Sequence, residues 1–141
     1  METKILIPVN DSPTTEQTIA DVITYKEKFP NQLVLLHVIN DQLAYRMIPD
    51  FQIEMVRENA EKAARNRMEI LAKKLREVGF EVELRLEFGA PRRVIPRIAN
   101  DEEFQLLVVG RKTGGGEIRD VLFGSVANYV LHNVKCPVLL L

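Results

Sequence analysis

The stretch GRKTGGGEIRDVLFGS, Gly110 to Ser125, gathers five of the chain's seven glycines beside Arg111, Lys112, Thr113 and the Ser125 hydroxyl. Glycine admits positive φ and lets backbone N–H groups come close to an oxyanion, and the N-terminus of a following helix adds partial positive charge. Arg111 and Lys112 supply countercharge, and Thr113 and Ser125 supply hydroxyl donors, so these are the parts of a phosphate site. A second reading fits the same residues: Gly114, Gly115 and Gly116 form a mobile linker, with Arg111 and Lys112 solvated. Neither GxxxxGK[ST] nor the GxGxxG spacing of a dinucleotide fold is present.

Asn10 and Asp11 follow the first apolar run and suit either of two roles, hydrogen-bonding a base or sugar or capping the next helix. For Ser12, capping is the expectation. His37, inside LVLLHVIN, reads as a buried, hydrogen-bonded strand residue rather than a general base, and His132 as a partner of a helix C-terminus. Two separated histidines and the single Cys136, read as a buried inert thiol, make neither a His/Cys metal site nor a nucleophilic triad. For hydrolysis the candidate base or metal carboxylates near the glycine loop are Asp11 and Asp120, and each equally suits a cap or a surface charge.

These residues need a scaffold. At 141 residues, 46% apolar and with a formal net charge of −1, the chain has the size and balance of one domain with its own core. The charge balance argues against nucleic acid as a partner, and no apolar run approaches the ~20 residues of a membrane span. A cytoplasmic protein without membrane attachment is the expectation.

Strand-length apolar runs occur at 4–9, 33–39, 81–88, 105–110 and 137–141. Four are nearly continuous in Ile, Leu and Val, as strands covered on both faces should be, whereas EVELRLEF at 81–88 alternates and belongs at a sheet edge. Helices are expected from Ser12 and Pro13 onward, from about Asp50 to Val78 with Gly79 closing it, from Arg92 to Glu102, and from about Val121 to Asn133. Pro96 is expected to be tolerated only near a first turn. In the last helix Leu122, Val126, Tyr129 and Val130 form the expected apolar stripe, and residues 100–104, NDEEF, read as a solvated connection.

The order βαβαβαβαβ predicts an α/β fold, a mostly parallel sheet with right-handed crossovers. Ligands bind such sheets at the carboxyl ends of strands where the winding reverses, here between the ends of strands 1 and 4.

KILIPVNDS, LLHVI, FGAP before a helix, LLVVG and GSVANYVLHNVKCPVLLL together make the chain resemble the universal stress protein family over 1–141, as a single domain. The resemblance implies a flavodoxin-like (Rossmann-like) five-stranded sheet of order 3-2-1-4-5 and a homodimer paired through the terminal strand, 137–141. In ATP-binding members a motif G-2x-G-9x-G-[ST] holds the phosphates and ribose, while an acidic residue after strand 1 and the backbone at the end of strand 2 hold the adenosine. Carried over, Gly114, Gly124 and Ser125 match the second half of that motif, but three residues instead of two separate Gly110 from Gly114, and Asn10 stands in the acidic position with Asp11 next to it.

The implied pocket is Pro8, Val9, Asn10, Val38, Val109, Gly110, Gly114, Gly124, Ser125 and Val126. Arg111 or Lys112 would supply charge, and Gly115 and Gly116 further backbone donors. Gly89 is read as a tight turn. ATP or a related adenine nucleotide is the expected ligand, with Mg accompanying the triphosphate, and a homodimeric nucleotide-dependent stress-response regulator the expected function. The alternatives are a nucleotide-free dimeric interaction module and a slow ATP hydrolase; hydrolysis is expected to be absent or incidental.

Overall fold

The structure is a computed structural model that describes residues 4–10, 12–30, 32–40, 47–110 and 125–141. Its order is β1 (Lys4–Pro8), α1 (Pro13–Thr24), β2 (Gln32–Ile39), α2 (Asp50–Glu77), β3 (Glu81–Phe88), α3 (Pro91–Asp101), β4 (Leu106–Val109), α4 (Ser125–Asn133) and β5 (Val138–Leu140), with a short 3-10 turn at Lys26–Lys28. All five strands are parallel, as the alternation of strands and helices predicts, and their order β3-β2-β1-β4-β5 is the one the family resemblance implies. None of the described helices is long and apolar enough to cross a membrane.

Side chains alternate along each strand, so continuous apolar runs feed two cores. Ile5, Ile7, Leu33 and Leu35 pack against Ile19 and Val22 of α1 and Met68, Leu71 and Leu75 of α2. Leu6, Val34, Leu36 and Leu107 face Val94, Ile95 and Ile98 of α3 and Val130 of α4. β1 and β2 bury both sets and are central. β3, with its alternating sequence, is an edge strand whose Val82, Leu84 and Leu86 meet only the first core.

Local signals set the helix ends. Pro13 opens α1 and Gly79, at φ +104°, closes α2 in a conformation that costs a side chain strain. Gly89, at φ +139°, makes the turn from β3 into α3, its N–H donating to the Ile39 carbonyl. Cys136 is half-buried rather than buried, and partial burial pushes its thiol pKa up, which leaves less thiolate at neutral pH.

Three expectations are corrected. Pro96 lies in the second turn of α3, not the first. It leaves the Arg92 carbonyl without its helical donor, and the burial of Val94, Ile95, Ile98 and Ala99 outweighs that loss. In α4 the stripe is narrower: Val130 is buried, but Val126 and Tyr129 are exposed, Tyr129 beneath the Arg92 guanidinium. Segment 100–104 does more than connect. Glu102 pairs with Arg85 of β3, raising the Arg85 pKa; the Asn100 amide donates to the Asn133 carbonyl and its oxygen accepts from Lys135 N–H at 2.8 Å, fastening the turn into β5.

Candidate functional site

The winding reverses at β1, which pairs with β2 on one side and β4 on the other. The connections on its two flanks diverge to opposite faces, and a cleft of about 440 Å³ opens at the carboxyl ends of these strands. Its size falls in the range of small-molecule sites, ~300–1,000 Å³. Its floor is Pro8, Val9 and Asn10 from β1, Val38 from β2, and Val109 and Gly110 from β4; α4 contributes Val126. All seven belong to the set that the sequence predicts, and the structure brings them together.

Ser125 begins α4, whose N-terminus thus adjoins the cleft through Val126 and Ala127. Asp11, Arg111, Lys112, Gly114, Gly115, Gly116 and Gly124 lie outside the described residues, as do Thr113 and Asp120.

The sequence reading omits several wall residues. Thr14, Thr15 and Thr18 line the cleft from α1, and Pro91 and Ile95 from α3. The signal for the first group was present: Thr14 and Thr18, four apart directly after the first strand, share one helix face. Thr15 and Thr18 are nearly fully buried, their hydroxyls satisfied by Asn10 and by the Thr14 carbonyl at 2.8 Å. A side chain at Gly110 would fall onto Thr18 Oγ1 and within 2.8 Å of Thr14 Cγ2. Gly110 is therefore needed for the close approach of the β4 end to α1, besides any part in a ligand loop.

Asn10 is turned toward the entry of α1, which it braces without capping a backbone N–H of the first turn. Its Oδ1 accepts from Ser12 N–H at 2.9 Å, Ser12 Oγ at 2.6 Å and Thr15 Oγ1 at 2.7 Å, and its own N–H donates to Thr15 Oγ1 at 2.9 Å. Ser12 occupies the N-cap position of α1, yet its hydroxyl makes no cap bond, because Asn10 takes it instead. The carbonyl oxygen that a sugar contact would need is committed to the start of α1.

His37 is a strand residue, as expected, but half-buried and on the cleft. Its Nδ1 lies 2.8 Å from the Val9 carbonyl oxygen. A carbonyl only accepts, so Nδ1 carries the proton and donates. One residue earlier, Val9 N–H donates to the Leu36 carbonyl at 2.8 Å, and β1–β2 pairing ends at Pro8 and Leu36. Peptide groups alternate along a strand: Leu36 faces β1 and Ile39 faces the β3 side, where its carbonyl accepts from Gly89 N–H. Val38 thus presents both N–H and C=O on the β1 side, at the level of the cleft.

Apolar side chains over a peptide edge suit a flat heteroaromatic ring with hydrogen-bonding edges. Among the described residues no group of three or more His, Cys, Asp and Glu side chains forms a metal site. A shallower hollow of about 300 Å³ at the amino ends of β1, β2 and β3, lined by Lys4, Glu81 and Glu83 among others, is remote from the switch point.

The universal stress protein family model matches residues 1–141. Universal stress protein MJ0577 of Methanocaldococcus jannaschii is 29% identical over 154 aligned positions, covering 99% of this chain and 94% of the relative. The solved structure of MJ0577 superposes with a TM-score of 0.79 at 32% identity, covering 100% of this chain and 96% of that one. At lower identity the fold alone is shared with the Archaeoglobus fulgidus universal stress protein in complex with dAMP (20% identical, 99% and 97% covered, TM-score 0.66). The same holds for an Arabidopsis thaliana family protein with AMP bound (18% identical, 99% and 91% covered, TM-score 0.68). Sheet order, cleft and full-length match agree, and the chain belongs to the universal stress protein family.

Proposed function

We propose that the switch-point cleft binds an adenine nucleotide, with ATP and its Mg as the ligand, and that the protein acts as a homodimeric nucleotide-dependent regulator in the stress response. The observation that carries this reading is the convergence of Pro8, Val9, Val38, Val109 and Val126 on one cleft beside the start of α4. Relatives crystallised with dAMP and AMP support the nucleotide class. In this reading Val38 N–H and C=O meet the base edge, the valines sandwich the ring, and the phosphates run toward Ser125 and the glycine segment. ATP would bring a chain of phosphate charge that Arg111 or Lys112 balances.

Titration calorimetry with millimolar ATP and AMP tests it. Binding heat and a rise in unfolding temperature are expected, since a ligand at 100 times its Kd adds ~2.7 kcal/mol of stability. Neither heat nor stabilisation at millimolar nucleotide would remove the proposal.

One observation favours the alternative, a nucleotide-free dimeric module: Asn10 Oδ1 already accepts three hydrogen bonds, two from Ser12 and one from Thr15. Deleting one residue between Gly110 and Gly114 should then create ATP binding if the loop length alone had abolished it, and continued failure would point to Asn10.

Both readings share the dimer. β5 pairs with β4 on one side only and forms the sheet edge. Leu141 N–H donates to the Val109 carbonyl, so alternation turns Leu140 N–H outward, where a second β5 would receive it. Leu140→Pro removes that donor and spares the bonds to β4, and is expected to turn a dimer into a monomer in sedimentation equilibrium. A monomeric native chain, or a variant that stays dimeric, overturns the pairing.

A further inference from the structure

We propose that His37 is a positioning residue: its imidazole holds the β1–β2 ladder open at Val9, and so keeps the Val38 peptide edge available to the base of a bound nucleotide. The inference rests on the adenine-nucleotide reading for its ligand and on the ladder geometry for everything else.

In a parallel pair, Val9 donating to Leu36 would be followed by Val38 N–H donating back to the Val9 carbonyl. The first bond is present at 2.8 Å, and among the described residues no backbone bond joins Val38 to Val9. His37 Nδ1–H occupies the Val9 carbonyl instead, also at 2.8 Å. The side chain has taken the place of a ladder bond. β1 stops pairing with β2 at Pro8, on the cleft floor, while β2 continues to Ile39 against β3.

The exchange has a chemical consequence. A buried carbonyl needs a donor, and without the imidazole the one that the parallel register offers is Val38 N–H. Closing that bond would extend the ladder across the cleft floor and use the donor that a purine ring nitrogen would otherwise accept from. Val38 C=O, on the same side of β2, is the matching acceptor for an exocyclic amine. An adenine edge carries that acceptor–donor pair side by side; a guanine edge carries a carbonyl where adenine has the amine, and would set two acceptors against each other. His37 thus maintains the element that distinguishes the two bases without touching either.

Amide hydrogen exchange on the ligand-free full chain tests the ladder. In the native protein the Val38 amide is expected to exchange about tenfold or more faster than that of Leu36, one ladder step earlier. In His37→Leu, close in volume but without a donor, Val38 exchange should slow about tenfold or more as the ladder closes. AMP affinity in calorimetry should fall about tenfold or more, with the preference for AMP over GMP reduced. His37→Asn, whose Nδ2 replaces Nδ1 as donor, should keep the native pattern.

A merely structural role would loosen the strand and speed exchange at Val38 and its neighbours alike. Val38 exchanging as slowly as Leu36 in the native chain, or unchanged or faster in His37→Leu, overturns the proposal. A native chain that binds no AMP overturns the nucleotide reading and with it the specificity role, while slower Val38 exchange in His37→Leu would still establish the ladder role.

Discussion

Replacing Gly110 by alanine is expected to destabilise the protein by about 1–3 kcal/mol, the range for forcing extra atoms into a packed site. The new methyl would fall onto Thr18 Oγ1 and lie 2.8 Å from Thr14 Cγ2. Neither neighbour is the free end of a long side chain. Thr18 is 4% exposed, and its hydroxyl donates to the Thr14 carbonyl at 2.8 Å, so relief requires α1 to move away from the β4 end. That movement also reshapes the cleft wall, and any nucleotide affinity should fall with stability. Urea unfolding of Gly110→Ala, Thr18→Ala and the double variant measures it. Thr18→Ala removes the oxygen that the methyl strikes, so the double variant should be more stable than the sum of the single effects by about 0.5 kcal/mol or more. A Gly110→Ala protein within about 0.5 kcal/mol of native would show that the close approach is not a constraint.

Asn10→Ala is expected to cost about 1–2 kcal/mol, within the cost of leaving a buried polar group without its hydrogen-bond partner. One oxygen organises the entry to α1 by accepting from Ser12 N–H, Ser12 Oγ and Thr15 Oγ1. Thr15 is nearly fully buried, so its hydroxyl then loses an acceptor that water reaches poorly, whereas Ser12 can turn to solvent. Asn10→Asp should behave differently. A carboxylate accepts the same bonds and is favoured at a helix N-terminus, which predicts stability equal to native or up to ~1 kcal/mol higher at neutral pH. Thermal unfolding of the two variants separates the cases, and equal losses in both would exclude the bracing role of Oδ1. Nucleotide titration of Asn10→Asp also bears on function, because its second oxygen is an acceptor where the amide holds a donor. Tighter ATP binding would identify the missing charge as the weak point of the native site.

The sheet was legible before any coordinates. Three continuous Ile/Leu/Val runs, at 4–9, 33–39 and 105–110, read correctly as central strands and the alternating run as an edge, since a strand buried on both faces must be apolar at every position; the continuous run at 137–141 is the other edge, with Val138, Leu139 and Leu140 only half-buried. Pro13 and Gly79 mark helix ends for reasons local to the backbone. The resemblance to the family, carried by stretches such as KILIPVNDS and CPVLLL, supplied the strand order, and the structure has that order. Pro96 was misjudged because the penalty of a helical proline is local, while the burial that offsets it belongs to the assembled layer of α3 against the sheet.

The sequence by itself determined the alternating α/β architecture and the switch point, because periodicity and the order of elements are properties of the chain read in one dimension, and the family resemblance of its motifs implied seven of the residues that meet there. Only the tertiary structure decided what those residues do once assembled. Asn10 could cap or bind until Ser12 and Thr15 were seen to saturate its oxygen; Gly110 looked like one more loop glycine until Thr14 and Thr18 were found where its side chain would go. His37 read as an ordinary strand residue until Val9, 28 positions away, was found to be its partner. Each of these roles is set by a neighbour on another element, and distances of that kind exist only after the sheet and its helices have closed around the cleft.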